Sequence, residues 1–459
     1  MVIGFDGSRS FIKHKTGTEN YAFQLLKQLA HIDQKNQYII YLRPCNVVDE
    51  WDNTVISSEC ERSQDGNTNL QISRDARNDN YGWPSNFEFR MLNYPRLWTQ
   101  FGLAKQTFTD KLDVLFVPSH TLPLLRKPGL KTVMTVHDLG AEYLPGMHQL
   151  KQRLYLGMMT KIQLKTATRL IAVSQATKKD LVSKIGLNPK QIEVVYEGLN
   201  VIAKRHAPHI SSEERNLQIS HDVRDDKKEK QKGYNKEYFE IDKKINDIEK
   251  HHQIIINNKF IYRNRYFLFV GTIQPRKNLE RLIKAYAGFL SVISNGERNL
   301  QISHQVRDDS HIPKLVLAGG KGWLADDILA LPKKLGIESQ VIFTGRVSDT
   351  DLTILYENAL AFTFPSLFEG FGLPVLEAFE AKIPVITSNN SSLPEVAGDA
   401  ALLVDPYKTE AIMIALLKLY NNKDMQKDLT KKGSDQLKKF SWQKCAEETL
   451  KVITNLDYK

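Results

Sequence analysis

Two acidic residues in the last third of the chain have a spacing that suits one elongated ligand. Glu369 and Glu377 lie eight positions apart in the segment EGFGLPVLE, which also contains Gly370 and Gly372. Eight residues of a helix span only ~12 Å, so both carboxylates can face the same ligand. The glycines leave backbone amides bare near the start of a predicted helix, where the helix dipole favours an anion such as a diphosphate.

A pair of cations, Arg276 and Lys277, follows the apolar segment FLFVGT and opens the helical pattern NLERLIKAY. Two positive charges at a helix N-terminus are not stabilised by the helix dipole, whose positive end lies there. An anion held between the two cations and the backbone amides would be attracted to both and so offset this unfavourable arrangement. The alternative is an ordinary solvated helix start. We predict that both side chains bind the same anion.

Two further positions lie directly after predicted strands of the first half. His137 follows TVMTV, where its ring could donate to or accept from a substrate hydroxyl, although a buried, hydrogen-bonded structural histidine fits the dipeptide equally well. Gly17 lies in HKTGTE between the first strand and the first helix, where it would let backbone amides approach a phosphate or merely shape a turn.

Short apolar strands and amphipathic helices alternate along the chain in two successive blocks. The first block runs from MVIGFDG to IEVVYEG and the second from RYFLFVGT to ALLVD. Strands of this kind are buried on both faces of a parallel sheet, and ligands bind beyond their carboxyl ends. We predict an α/β protein with two doubly wound, Rossmann-like domains at 1–200 and 266–439, an inserted polar linker at 201–265 and a C-terminal helix at 440–459.

Composition narrows the classes of function. The 459 residues are 41% hydrophobic and 25% charged with a net charge of +10, but the densest basic run, 227–250, is interleaved with acidic residues. We therefore expect no nucleic-acid partner, while attraction to anionic lipid headgroups or to a phosphorylated substrate stays open. No apolar stretch is long enough to span a bilayer, which predicts a cytoplasmic protein. The three cysteines lack metal-ligand spacing, so neither a metal nor a disulfide is expected.

One motif occurs three times at uneven intervals. ERNLQISHDVRDD at 214–226 and ERNLQISHQVRDD at 297–309 differ at one position, and a degenerate copy occupies 69–79. A solenoid requires a constant period, so the copies do not build the architecture. We interpret them as insertions in surface loops, the alternative being a repeated ligand-binding loop.

Taken together, EGFGLPVLE, GTIQPRKN, VHD, VSQAT and SLPEVAGDAALLVDP resemble the retaining glycosyltransferases of family 4, which have the GT-B architecture. The resemblance covers nearly the whole chain apart from the three inserted blocks, and 362–406 is its most specific part. Within the family the chain is most similar to bacterial mannosyltransferases. GT-B proteins consist of two Rossmann-like domains that face each other across a cleft, so the resemblance agrees with the predicted fold.

The resemblance implies roles for the residues singled out above. The C-terminal domain would hold a nucleotide-diphosphate sugar and the N-terminal domain a saccharide or lipid-linked acceptor, with no metal or other cofactor. The C-terminal helix would pack back on the first domain. Peripheral contact with the inner face of the membrane is left open. By motif position, the catalytic residues would be His137, Arg276, Lys277 and Glu369, and donor contacts would come from Gly17, Gly370, Phe371, Gly372 and Glu377.

Two departures and several rival functions accompany this interpretation. Lys382 stands where many relatives have glycine, so we expect a different turn after that helix, and the single Gly17 stands where some members have two glycines. The rivals are a nucleotide-sugar 2-epimerase of the same architecture and a non-catalytic nucleotide-sugar binding protein. A third, prompted only by the net charge, is a nucleic-acid-binding protein.

Overall fold

The computed structural model describes residues 1–12, 17–43, 83–94, 97–119, 121–139, 160–199, 253–299 and 312–456. Its first half contains a seven-stranded parallel sheet in the order β3-β2-β1-β4-β5-β6-β7. The strands are β1 Val2–Asp6, β2 Gln37–Leu42, β3 Phe87–Met91, β4 Val114–Val117, β5 Lys131–Val136, β6 Arg169–Ala172 and β7 Ile192–Val194.

Helices cover both faces of this sheet, which explains why its central strands are apolar throughout. All four residues of β4 and of β6 are buried. The helices are α1 Gly17–Ile32, a π-helical turn Thr99–Leu103 that continues into α2 Ala104–Thr109, and α3 Gln175–Ile185. Ser174 caps α3 by accepting from the Thr177 amide, and Gly186 ends it in the left-handed conformation (φ 75°).

The second half repeats the plan with a six-stranded parallel sheet in the order β12-β11-β10-β13-β14-β15. Its strands are β10 Tyr266–Val270, β11 Lys314–Ala318, β12 Val341–Gly345, β13 Ala361–Phe364, β14 Val385–Ser388 and β15 Ala401–Val404. The helices are α4 Leu279–Asn299, α5 Asp326–Lys334, α6 Asp349–Glu357, α7 Leu373–Glu380, α8 Leu393–Ala397, α9 Thr409–Asn421, α10 Lys423–Leu437 and α11 Trp442–Thr454.

The predicted α/β class with two doubly wound sheets is confirmed, and three strands were not predicted. β3, FEFRM, alternates buried with more exposed residues at the sheet edge, so it lacks the continuous apolar pattern of its neighbours. β8 Gln253–Ile256 and β9 Lys259–Tyr262 form an antiparallel hairpin whose Ile254, Ile256 and Ile261 join the second core. This hairpin falls within 201–265, so the end of the predicted polar linker is packed structure.

The last helix returns to the first half of the molecule. The side chains of Trp442, Cys445 and Ile453 on α11 belong to the same core cluster as Tyr21 and Leu25 on α1. The backbone at Ser441 also bridges to Leu199. Burial of the apolar face of α11 therefore ties the end of the chain to the first sheet.

The expectation of a different turn after α7 is wrong. Lys382 adopts φ 58°, the left-handed conformation that glycine usually supplies there. Its amide donates to the Phe379 carbonyl, and the Ile383 amide donates to the Ala378 carbonyl, which is the hydrogen-bond pattern of a Schellman ending. The ending is thus the usual one, built with a residue for which the left-handed conformation is costly.

The interpretation of the repeats as surface loops concerns residues that lie almost entirely outside the described ranges. The copies at 69–79 and 214–226 are wholly outside them. Of the copy at 297–309, the first three residues continue the backbone of α4 to Asn299. That helix is therefore longer than the pattern LERLIKAYAGFLSVI predicts.

Candidate functional site

The carboxyl ends of the two sheets meet where the sequence places its candidate residues. His137 follows β5 directly, and Gly370 lies in the loop after β13. A Cβ atom on Gly370 would lie 1.9 Å from the His137 carbonyl oxygen, so only glycine permits this approach. The Thr177 hydroxyl lies 3.4 Å from the carbonyl oxygens of both residues. The two halves are therefore in direct contact at the predicted site.

Both predicted cations bind one carboxylate. The Glu369 side chain accepts from Arg276 Nη1 through Oε2 at 2.8 Å and from Lys277 Nζ through Oε1 at 2.6 Å. Arg276 also donates to the Phe368 carbonyl at 2.8 Å. A short 3₁₀ turn after β10 carries the two cations, and Asn278 follows it with φ 61°. This turn and the loop after β13 thus form one charged cluster.

The electrostatics of the cluster favour an anion. Burial raises the pKa of Glu369, but the charges of Lys277 and Arg276 outweigh it and leave that pKa below its usual value. The charge of Glu369 raises the pKa of Arg276, whereas burial lowers the pKa of Lys277. Arg276, Lys277 and Glu369 by themselves sum to one positive charge, which the nearby Asp138 carboxylate partly offsets. Asp138 also acts on both cations, which places the end of β5 within their electrostatic reach.

The loop that carries Glu369 is held from the next loop along the sheet. The Ser392 hydroxyl lies 2.9 Å from the Glu369 carbonyl oxygen and 2.6 Å from that of Phe371, and the Ser391 hydroxyl also donates to Glu369. The loop ends at Gly372, the N-cap of α7, which has φ 125° and no capping side chain. Pro374 has no amide hydrogen and the Val375 amide donates to the Gly372 carbonyl, which leaves the Leu373 amide of the first turn to a ligand or to water.

Glu377 lies further along α7 and has its own partner. It accepts from the Tyr356 hydroxyl through Oε2 at 2.8 Å, and burial raises its pKa above the usual value. Tyr356 comes from α6 and is itself buried. The two carboxylates of the Glu-x7-Glu segment thus differ in environment, since one faces two cations and the other a neutral hydroxyl.

The remaining predicted residues lie on the first half of the site. Both ring nitrogens of His137 are engaged, Nδ1 with Glu197 Oε1 and Nε2 with the Pro118 carbonyl, each at 3.0 Å. Gly17 is the first residue of α1, exposed, with open space around its Cβ position. One turn later, the Tyr21 ring packs edge-on against His137 with centroids 4.7 Å apart. α1 therefore begins beside the His137 ring.

Hydrogen bonds to one carboxylate and an aromatic contact join the halves beside this site. Glu395 on α8 accepts from the Gln175 and Ala176 amides at the start of α3, at 2.9 and 3.1 Å, and from the Tyr196 hydroxyl at 3.1 Å. The Tyr196 ring also packs against Phe371 and Phe440. The side chain of Phe371 is thus buried in the interface.

Sequence reasoning missed Glu197, Glu395 and Tyr356. Glu197 lies just after β7, and the rule that led to His137, polar residues at the carboxyl ends of strands, would have found it. Glu395 lies within SLPEVAGDAALLVDP but is separated from its partner amides by more than 200 positions. No local signal indicates its contact or the hydrogen bond from Tyr356.

The described part of the chain contains no group of three or more His, Cys, Asp and Glu side chains arranged to hold a metal ion. Within the same ranges, no helix is both long and apolar enough to cross a membrane.

The chain is similar to several mannosyltransferases of Escherichia coli over part of its length. Over 185 residues, the chain is 37% identical to O-antigen chain mannosyltransferase B of Escherichia coli. This alignment covers 40% of this chain and 44% of the E. coli protein. The chain spans less than half the length of each of four curated mannosyltransferases that it matches.

Two solved structures share the whole architecture. Sucrose-phosphate synthase from Thermosynechococcus elongatus has a TM-score of 0.60 at 16% identity, and Anabaena HepE in complex with UDP and glucose has 0.57 at 13%. Each alignment covers 99% of both chains. Two family models match successive parts of the sequence, Glycosyltransferase Family 4 at residues 16–201 and Glycosyl transferases group 1 at residues 252–436. The chain therefore belongs to the family 4 glycosyltransferases of GT-B architecture.

Proposed function

We propose that the chain is a retaining glycosyltransferase that moves mannose from a nucleotide-diphosphate sugar to a saccharide or lipid-linked acceptor without a metal ion. The observation that carries the proposal is the cluster of Arg276, Lys277 and Glu369 beside the open start of α7. It lies at the edge where the two halves meet. A diphosphate there would face two cations and a helix N-terminus.

The same cluster supports stabilisation of the leaving group. Transfer breaks the bond between the anomeric carbon and a diphosphate oxygen, so negative charge develops on the departing diphosphate. Arg276, Lys277 and the Leu373 amide at the start of α7 would stabilise that charge, which is the task a metal ion performs at other phosphate sites. The acceptor oxygen forms the new bond on the same face of the sugar, and its proton passes to the departing diphosphate.

A covalent glycosyl-enzyme through Glu369 is disfavoured by the geometry. Both carboxylate oxygens already bind cations, and the lowered pKa marks a weak nucleophile. Retaining hydrolases use a second carboxyl group ~5 Å away across the scissile bond. Glu377 lies two turns further along and binds Tyr356, so it suits the ribose of the donor better. Glu369 would then contact the hydroxyls of the transferred sugar.

The identity of the sugar and of the acceptor is inferred from the relatives. The E. coli protein that is 37% identical over 185 residues is named as a mannosyltransferase of the O-antigen chain, which supports mannose and a growing glycan. HepE was solved with UDP and glucose, which supports a nucleoside diphosphate in the shared architecture.

A transfer assay tests the proposal against its rivals. The protein is incubated with GDP-mannose, UDP-glucose or ADP-glucose, with and without a lipid-linked glycan acceptor, and the released nucleotide and the sugars are quantified. We expect nucleoside diphosphate release that depends on the acceptor, and a product with the donor's anomeric configuration. Isomerised sugar without acceptor would indicate an epimerase, and binding without release in any combination would indicate a binding protein.

Metal independence has a separate test. Transfer measured after dialysis against EDTA should equal transfer in untreated enzyme, because side chains and amides supply the positive potential. Activity that EDTA abolishes and Mg²⁺ or Mn²⁺ restores would contradict this part of the proposal.

Contact with a membrane surface is supported by one face of the first half. Phe101 and Phe108, on the π-turn and α2, are 58% and 55% exposed, and Leu125 in the adjoining loop is 77% exposed. The loop is held against the π-helical turn, since the Leu124 amide donates to Gln100 Oε1 at 2.9 Å. Several basic residues lie close to these positions in the sequence, namely Lys105, Lys111, Arg126 and Lys127. Exposed aromatics among lysines suit the interface of an anionic bilayer.

Vesicle flotation tests this contact. The wild-type protein should float with vesicles that contain anionic lipid and remain in solution with neutral vesicles. The double variant Phe101→Ser, Phe108→Ser should lose flotation, whereas Leu324→Ser, which removes an exposed leucine from the second half, should retain it. Equal flotation of both variants would place the contact elsewhere.

A further inference from the structure

The His137 ring is held between two hydrogen-bond acceptors. The Pro118 carbonyl oxygen can only accept, so Nε2 must donate to it. An ionised Glu197 can also only accept, so Nδ1 donates as well. With both nitrogens protonated, the ring is an imidazolium, and neither nitrogen has a lone pair with which to take a proton from a substrate.

The groups around the ring agree with this protonation state. Tyr21 from α1 packs edge-on against it, and Cys445 from α11 interacts electrostatically with Glu197. Burial raises the pKa of both Tyr21 and Cys445, so they remain neutral at ordinary pH. The acidic neighbours are Glu197 and Asp138. Burial lowers the pKa of His137, but the hydrogen bond and the charge of Glu197, helped by Asp138, outweigh it and leave the pKa raised.

The ring is connected to the charged cluster through its own backbone. The His137 carbonyl oxygen lies against Gly370, next to Glu369, and the following residue, Asp138, acts electrostatically on both Arg276 and Lys277. A change in the ring's position would therefore move the carbonyl that touches the donor loop. Glu197, which is 4% exposed and extends from the end of β7, is the side chain that fixes the ring.

We infer that Glu197 is a positioning residue of the transfer reaction, holding His137 as an imidazolium and thereby fixing the end of β5 against the Gly370 loop. The inference rests on the proposed function. In the proposed transfer reaction His137 moves no proton, because the acceptor's proton goes to the departing diphosphate. The imidazolium instead places a fixed positive charge in the wall of the cleft, balanced by Glu197.

Site-resolved NMR titration of His137 tests the pair without reference to activity. Glu197→Gln keeps the size and an acceptor oxygen but removes the charge, while burial of the ring remains. We expect the His137 pKa to lie above its ordinary value of about 6.5 in the wild type and below it in the variant. The matched control is Glu193→Gln, on β7 and half-exposed, which should leave the titration unchanged. An equal His137 pKa in wild type and Glu197→Gln, or a ring that stays neutral from pH 5 upward, would overturn the inference.

A pH–rate profile tests the link to the reaction. In Glu197→Gln, the alkaline fall in kcat should move to lower pH by about one unit or more, since the imidazolium is lost sooner. The dissociation constant for nucleoside diphosphate should stay within about twofold, because Arg276 and Lys277 are untouched. Far-UV circular dichroism and the melting temperature check that the variant folds. Glu197→Asp keeps the negative charge, so the alkaline fall in its kcat should lie at a pH between those of Glu197→Gln and the wild type. An unchanged profile would overturn the positioning role.

The two measurements separate the possible failures. A protein that transfers no sugar but shows the expected His137 titration would contradict the proposed function and leave the pair intact. A protein that transfers sugar with the same pH profile in wild type and Glu197→Gln would contradict only the role of Glu197.

Discussion

At the scale of single residues, the site depends on one carboxylate shared by two cations. Glu369, Arg276 and Lys277 are each partly or fully removed from water, so each charge depends on the others for stabilisation. An incoming diphosphate would add negative charge beside both cations. In the proposed function, the pair of cations, rather than either alone, would therefore determine the affinity for the donor.

Lys277→Ala should weaken binding of nucleoside diphosphate while the protein stays folded, because Arg276 still neutralises Glu369. The loss of one charge-assisted contact is worth ~1.5–3 kcal/mol, or about ten- to a hundredfold in the dissociation constant. Isothermal titration calorimetry measures it. Lys284→Ala, which removes an exposed ammonium from α4, serves as the control and should bind like the wild type. Equal affinities in the wild type, Lys277→Ala and Lys284→Ala would contradict the assignment of Lys277 to the diphosphate site.

The lowered pKa of Glu369 predicts how stability depends on pH. A carboxyl group with a depressed folded-state pKa stabilises the fold above its unfolded pKa of about 4.3, and this contribution is lost as the pH falls through the folded value. Glu369→Gln should therefore be less stable than the wild type at pH 7 by about 3 kcal/mol or more, since it leaves two buried cations unpaired. Urea unfolding at pH 7 and at successive values below pH 4 should show the gap shrinking. A gap that is constant with pH would contradict the assignment.

At the scale of elements, the loops after β5 and β13 determine how closely the halves approach. The loop after β13 is hydrogen-bonded by Ser391 and Ser392, so it cannot easily move aside. Gly370 faces the His137 carbonyl across the contact. The absence of a side chain at this one position is what lets the two strand ends meet.

Gly370→Ala should reduce kcat by about tenfold or more, since a Cβ at 1.9 Å from the His137 oxygen must displace one loop and misplacement of ~1 Å can cost that much. Affinity for nucleoside diphosphate should change less, because the cations lie on the second half. Steady-state kinetics and calorimetry separate the two effects. Gly320→Ala is the control, since its Cβ would meet nothing within 4 Å. Unimpaired turnover in Gly370→Ala would show that the contact is dispensable.

At the scale of the whole molecule, one carboxylate connects the halves. Glu395 on α8 binds the first amides of α3, where the helix dipole strengthens the attraction, and also the Tyr196 hydroxyl. The rings of Phe371 and Phe440 pack beside it against Tyr196. Opening of the cleft must break this contact, whereas the return of α11 to the first core would keep the halves joined.

Glu395→Ala should favour open arrangements of the two halves. We expect a larger radius of gyration by small-angle X-ray scattering and a lower kcat, because fewer molecules have both loops in contact at a time. Nucleoside diphosphate affinity should stay within about twofold, since its ligands are on one half. Glu410→Ala, which removes an exposed carboxylate from α9, should match the wild type in all three measurements. An unchanged scattering curve and kcat in Glu395→Ala would contradict the role as a connection.

The sequence by itself determined the architecture and the neighbourhood of the site. Continuous apolar segments such as VLFV and RLIA mark strands that are buried on both faces, and their alternation with helices specifies two parallel sheets. Because parallel strands end at one edge, the residues after β10 and β13 had to lie together, as Arg276 and Gly370 do, whereas His137 follows a strand of the other sheet and meets them only where the two halves meet. The edge strand β3 was missed because its pattern is half-polar, and the hairpin β8–β9 because it directly follows a lysine-rich polar segment.

Only the tertiary structure decided which of these groups pair. Glu369 and Lys277 are separated by 92 positions, His137 and Glu197 by 60, and Glu395 and Gln175 by 220. Local patterns reflect propensity and burial over a few residues, whereas such contacts depend on sheet order and on how the two halves meet. The sequence therefore predicted two cations awaiting an anion and left open whether His137 meets a substrate or is a buried structural histidine. The fold supplies a shared carboxylate for the cations and two acceptors for the ring, because buried charges and polar atoms must find partners.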